Sequence, residues 1–308
     1  MSVDVHQHLW PDPLVHALRS RTTAPYLVGN TLYLDGEPPF EMNPADHDIA
    51  LRAQLAIEDG LDTVLISLSS PLGIEWLPPE QAKPLLDAYH DGALALPAPF
   101  GTWAAACLSE PDPSALDKEL ARGCVGLQLP ANALADPAGW ERCAPLLDVL
   151  AQRGLPLFVH PGPAGPTPGD VPGWWPALVP YVQQMHAAWF GFRAFGRPAH
   201  PGLRVCFAML AGLAPLHGER LAARGGGRGV VDPEVYLDTS SYGTRAVDAT
   251  VRVLGIDGIV HGSDRPYATP VTPDLGAPAA TVAIRVNNPR RLLSGPPQRQ
   301  ADSKGDPR

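Results

Sequence analysis

Cysteine is scarce in this chain, with four residues in 308, and Cys107, Cys124, Cys143 and Cys206 lie at least 17 positions apart with no CxxC pair. That spacing excludes a disulfide scaffold and a thiolate zinc cluster, and it predicts free thiols in a reducing compartment. Charge is also sparse: 18% of residues are charged, 23 basic against 32 acidic, for a net charge of −9. Without a basic run before the tail, no phosphate-backbone partner is expected. No apolar stretch approaches the ~20 residues of a membrane span. The first residues, Met1 to His6, lack the basic and apolar regions of a secretion signal. The expectation is a soluble cytoplasmic protein that touches neither nucleic acid nor membrane. No GxGxxG follows the first apolar run, so a dinucleotide fold is disfavoured. No internal repeat is visible.

Apolar residues are present at 45%, enough for a large core, while Gly and Pro number 30 and 37 and predict many turns and sizeable loops. Strand-like runs occur at 3–8, 63–68, 101–107, 125–129, 156–160, 203–209, 234–238 and 258–262. Val64-Leu65-Ile66 and Leu157-Phe158-Val159 are unbroken apolar triplets, the pattern of strands covered on both faces. Helical patterns lie between the runs, at 46–59, 79–90, 113–122, 137–153, 175–192, 215–224 and 245–254. Several open on Pro or Asp, and Gly60 and Gly154 close two of them. Eight βα units in series predict an α/β fold, a (β/α)8 TIM barrel, which routinely occupies ~250 residues.

Residues 1–293 are assigned to this one barrel domain. Within it, 26–40 reads as a β-hairpin insertion after strand 1, turning at Gly29-Asn30, and the proline-rich 161–176 as a long loop suited to a lid. Residues 294–308 are expected to form a disordered tail.

The chemistry concentrates at the strand ends. His6 and His8, two residues apart on a strand, project to one side and can share an ion. His160 ends the fifth run and Asp264 follows the eighth. Ligand sites of the barrel lie on its C-terminal rim, where all four would meet. Three imidazoles and a carboxylate suit zinc, manganese or iron better than calcium or magnesium, which favour oxygen.

The chain resembles the amidohydrolase-related family, in the branch around aminocarboxymuconate-semialdehyde decarboxylase. The resemblance rests on Asp4-Val5-His6-Gln7-His8, Phe158-Val159-His160-Pro161, Gly262-Ser263-Asp264-Arg265-Pro266 and Asn288-Pro289-Arg290-Arg291-Leu292-Leu293. It implies one divalent ion, zinc ahead of manganese or iron, on His6, His8, His160 and Asp264, a small-molecule substrate, and a homodimer.

Members of this family usually end the sixth strand in a histidine that moves a proton; here Met209 stands in its place, and a thioether is neither acid nor base. His217 and His261 are possible substitutes, although alternation turns His261 away. Without that histidine the expectation is metal-assisted hydrolysis of an amide, lactone or ester, with Asp264 as both ligand and base. A non-oxidative decarboxylase and a ligand-binding barrel without activity are the alternatives. Candidate substrate contacts are Arg265, able to grip a carboxylate in two-pronged fashion, together with Trp10, Trp174, Trp175, Met209 and Asp238.

Overall fold

The computed structural model describes residues 1–166, 169–227 and 231–295. Among the described residues eleven strands occur in chain order: β1 (Val3–Gln7), β2 (Tyr26–Val28), β3 (Thr31–Tyr33), β4 (Phe40–Glu41), β5 (Thr63–Ile66), β6 (Phe100–Thr102), β7 (Leu127–Pro130), β8 (Leu157–His160), β9 (Val205–Phe207), β10 (Val235–Asp238) and β11 (Ile259–Val260). Eight of them match the apolar runs and pair in parallel, with helices between them, so the molecule is an α/β fold. The other three form the antiparallel insertion β2-β3-β4, in which Gly29, at φ 61°, makes the turn.

The parallel ladder is not one closed ring. It divides into β1-β5-β6 and β11-β10-β9-β8-β7. Isolated bridges, Gln7 to Arg265 and Ala104 to Leu127, span the two seams. The cause is local: β11 keeps only two residues in strand geometry, and β6 ends at Thr102 before Ala104 reaches its partner. At the first seam, Val5 N donates to His261 O at 2.9 Å and His8 N to Arg265 O at 2.7 Å. The C-terminal half therefore still grips β1.

Local signals set the helix limits. Asp112 caps Pro113–Arg122 by accepting from Ser114 N and Ala115 N at 2.9 and 3.1 Å, and Gly123 ends it in left-handed backbone. Asp136 does the same for Pro137–Arg153 through Gly139 N at 2.8 Å. Each such cap contributes ~1 kcal/mol. The predicted helix 175–192 is broken into Trp175–Leu178 and Pro180–Gly191, because Pro180 has no N–H to continue the hydrogen-bond ladder and Val179 before it is distorted to φ −117°, ψ −77°. The helix predicted over 215–224 shrinks to Gly218–Ala223, after an irregular left-handed stretch. Helices Asp12–Arg19, Pro278–Val282 and Asn288–Ser294 lie outside the predicted helical segments.

Trp103 fills the core between the two sheets. It is fully buried, stacks on Phe158 at 5.3 Å, and donates its indole N–H to Val5 O at 2.9 Å. Gly126 makes room for it: a Cβ there would lie 2.3 Å from Pro156 O and 2.7 Å from the indole. Among the described residues no helix is long and apolar enough to cross a membrane. The tail expected from 294 onward lies outside the described residues beyond Gly295.

Candidate metal centre

Two strand ends deliver three nitrogen donors to one point. His6 and His8 leave the end of β1, and His160 is the last residue of β8. The pairing register slips between Asp4 and Gln7, so Asp4 departs from simple alternation with the histidines. Its carboxylate instead accepts from His6 N at 3.0 Å, Ser263 N at 3.1 Å and the Gln7 amide at 2.7 Å. Asp264 follows β11 in left-handed backbone, φ 59°, with its N–H donated to His6 O at 2.8 Å. A short polar side chain tolerates that conformation better than most. The result is tight: His8 Nε2 lies 3.2 Å from His6 Nε2 and 3.3 Å from His160 Nε2. Asp264 Oδ1 is 3.5 Å from His6 Nε2 and 3.4 Å from His8 Nε2, and one ligand atom from each of the four residues lies within 4.8 Å of all the others.

Which nitrogen is free follows from the opposite edge of each ring. His6 Nδ1 faces Asp238 Oδ2 at 2.7 Å, His8 Nδ1 faces Ser67 O at 3.0 Å, and His160 Nδ1 faces Pro161 O at 2.8 Å. All three partners are acceptors, so each Nδ1 carries a proton, and each ring in its neutral form turns an Nε2 lone pair inward. Three lone pairs and a carboxylate converging in a buried space repel one another unless a cation lies between them. Zinc with donors at about 2.0 Å would separate those donors by about 3.3 Å, close to the spacings observed. The donor set therefore fits a divalent ion.

In the protein alone, the carboxylates around His6 favour its protonated form. Burial drives the His6 imidazole down, but the Asp238 carboxylate, its hydrogen bond, and the charges of Asp264 and Asp4 outweigh that and raise it to about 9. Burial, with the neighbouring His6 charge, holds His8 below its ordinary value and His160 well below it. Burial would raise Asp264 and Asp238, yet the imidazoles beside each keep both ionised below the usual carboxylate value.

A cavity of about 410 Å³ opens onto the four ligands. Its wall includes Trp10, whose indole donates to Ser69 Oγ at 2.9 Å and stacks on His47 at 4.9 Å, and Met209. Met209 to Leu213 all have positive φ, from 45° to 66°, although only Gly212 is a glycine. Such backbone costs about 1–2 kcal/mol per non-glycine residue. Asp238 holds its start, accepting from Met209 N at 2.8 Å, and His186 bonds Gly212 O at 2.7 Å. No proton-transferring side chain stands at position 209. His217 is exposed beside His186, and His261 approaches Asp4 at 3.8 Å rather than the ligand cluster.

Four proposed substrate contacts lie elsewhere. Arg265 is drawn to Asp59, with Nη2 2.9 Å from Oδ2, and does not border the cavity. Trp174 is 56% exposed and tilted against Trp175 at 6.0 Å, while the cavity wall takes Gly173, Pro176, Ala177 and Leu178 from the same segment. Asp238 is fully buried behind His6, accepting also from Ser240 N at 2.9 Å and Ser240 Oγ at 2.5 Å, and acts by orienting the ring.

Several residues of the site carry no signal that a linear reading could use. Glu37 and Phe40 reach the cavity from the hairpin insertion, Tyr181 from the helix Pro180–Gly191, and Tyr267 packs 5.4 Å from the His8 ring. Burial, followed by the Glu37 and Asp264 charges, raises the Tyr181 phenol, which keeps it a hydrogen-bond donor. Arg52, 3% exposed, donates to His8 O at 2.8 Å and to the Gln7 amide oxygen, bracing β1 from behind. The HxH motif pointed to β1 itself, but not to these supports.

No protein-family model matches the chain, and no curated protein matches its sequence. Solved structures do share its fold. The apo crystal structure of Metarhizium anisopliae IDCase superimposes with a TM-score of 0.75, at 20% identity over 95% of this chain and 97% of the other. A protein described as amidohydrolase II gives 0.72, at 21% identity over 95% and 99%. The 5-carboxyvanillate decarboxylase of Novosphingobium aromaticivorans, complexed with manganese and 4-hydroxy-3-methoxy-5-nitrobenzoic acid, gives 0.69, at 14% identity over 95% and 96%. These are likenesses of fold along nearly the whole chain. They agree with the mixed α/β fold of parallel strands, while the single closed (β/α)8 ring expected from the eight βα units is replaced here by a ladder split into two sheets.

Proposed function

We propose that this protein is a metal-dependent decarboxylase of a small aromatic carboxylic acid. The observation that carries the reading is an aromatic-walled cavity with three inward imidazole lone pairs and one carboxylate at its base. A structural neighbour that is a decarboxylase, with manganese and a nitrated benzoic acid bound, supports it. A bound divalent ion would supply electrostatic attraction for the substrate carboxylate and an adjacent oxygen. By donor chemistry we assign that ion as zinc, with manganese the rival.

The remaining work falls to the side chains. His6, His8 and His160 hold their lone pairs inward because Asp238, Ser67 and Pro161 anchor the other edge of each ring. Asp264 Oδ1 faces the imidazoles, while Oδ2 turns toward Ser241 Oγ at 3.5 Å. In this reading Oδ2 takes a proton from solvent and returns it to the ring carbon as the carbon–carbon bond breaks. The electron pair of that bond stays on the ring carbon and carbon dioxide leaves. Trp10 and Phe40 exclude water around the ring.

Hydrolysis of an amide, lactone or ester is the second reading, and Met209 is the observation that favours it. The test is to strip the protein, reload it with zinc or manganese, and incubate it with hydroxybenzoic acids, lactones and anilides. Metal-dependent release of carbon dioxide is expected. Ring opening or amine release without carbon dioxide would replace the first reading by the second, and no turnover with either ion would overturn both.

A further inference from the structure

The charge inventory of the cavity restricts what its occupant can carry. Among the described residues its wall contains no Lys or Arg. Arg265, the nearest cation by sequence, is committed to Asp59, and Arg52 is committed to backbone oxygens and Gln7 behind the sheet. Besides Asp264, the acidic member of the wall is Glu37, contributed by the hairpin insertion. Its Oε1 accepts from Ala164 N at 3.2 Å, which ties the hairpin to the proline-rich segment. Gly36 makes that approach possible, since a Cβ there would lie 3.3 Å from Pro166 N in backbone of φ 72°. Oε2 is engaged by no hydrogen bond among the described residues.

From this juxtaposition we infer that Glu37 selects the substrate, accepting a hydrogen bond from a hydroxyl or amino group on the ring and rejecting a second anionic group. The inference rests on the decarboxylase reading, because it takes one carboxylate to be held at the ligand cluster. A second carboxylate would be desolvated beside Glu37 with no cation to offset it. A donor would instead make a charge-assisted bond, worth about tenfold or more in affinity.

The test is calorimetric binding to the zinc-loaded protein, and to Glu37→Gln and Glu37→Lys, of benzoate, 3- and 4-hydroxybenzoate, 4-aminobenzoate, and the 1,3- and 1,4-benzenedicarboxylates. The wild type is expected to bind at least one hydroxy- or aminobenzoate about tenfold tighter than benzoate, and both dicarboxylates more weakly. Glu37→Gln should shrink those gaps, and Glu37→Lys should reverse the order while benzoate still binds. Metal-dependent benzoate binding without the donor preference, or a preference that survives in both variants, overturns this inference alone. Failure of benzoate itself to bind in a metal-dependent way overturns the decarboxylase reading and the inference with it.

Discussion

His6 Nδ1 and Asp238 Oδ2 meet at 2.7 Å, 232 residues apart in the chain, with both side chains almost completely shielded from water. The contact decides which face of the His6 ring is free. Replacing Asp238 by Asn would set an amide N–H or a weaker acceptor against Nδ1 and leave the tautomer undirected. Asp238→Asn is expected to lower zinc affinity by about 10–100-fold, measured by competition with a chromogenic chelator. Unchanged affinity would remove Asp238 from the site.

The same contact predicts a pH signature. His6 is raised from 6.5 to about 9 by its carboxylate partners in the protein without metal. A raised folded value means stability that is fully present below pH 6.5 and is lost as pH rises through about 9. Thermal melts of chelator-treated protein should therefore fall across that window. Melts of the zinc-loaded protein should not, because the ion excludes the second imidazole proton. Zinc uptake at pH 7.5 should also release about one proton, readable with an indicator dye in weak buffer.

Asp264 carries the proton-transfer assignment. Asp264→Asn should keep weakened zinc binding and reduce turnover by about 100-fold or more. Metal content and initial rate measured on the same preparation separate the two effects. A variant that retains metal and full rate would refute the role.

Arg265 provides the opposite expectation. Its guanidinium is occupied by Asp59, at side-chain exposures of 21% and 35%, and a partly exposed pair of this kind contributes at most about 1 kcal/mol. Arg265→Ala should leave the KM for benzoic acids within about twofold of wild type and shift the urea midpoint only slightly. A large rise in KM would return Arg265 to the substrate.

Gly126 tests the core. A methyl group at this position would press on Pro156 O and on the Trp103 ring. Gly126→Ala should destabilise the fold by about 1–3 kcal/mol, read from urea denaturation, with metal stoichiometry at low denaturant unchanged.

Much of this architecture is written in short-range chemistry. Asp112 and Asp136 cap helices through their own next two or three residues, and the apolar triplets of β5 and β8 need only neighbours to be read as strands. His6 and His8 were legible for the same reason, since a strand turns alternate residues to one side. Contacts that depend on distant segments were not. Asp59 captures Arg265 from 206 residues away. Glu37 reaches the cavity only because the hairpin folds against Ala164, and the register slip in β1 lets Asp4 clamp Ser263.

Residue types and their order thus determined the eight-strand α/β plan and the donors available at its rim, because periodicity and capping act within a few residues. Tertiary structure alone decided the tautomer of each imidazole, the removal of Arg265 from the cavity, and the split of the ladder into two sheets. Those outcomes depend on which distant acceptor arrives within about 3 Å, and hydrogen-bond energies change steeply over that range.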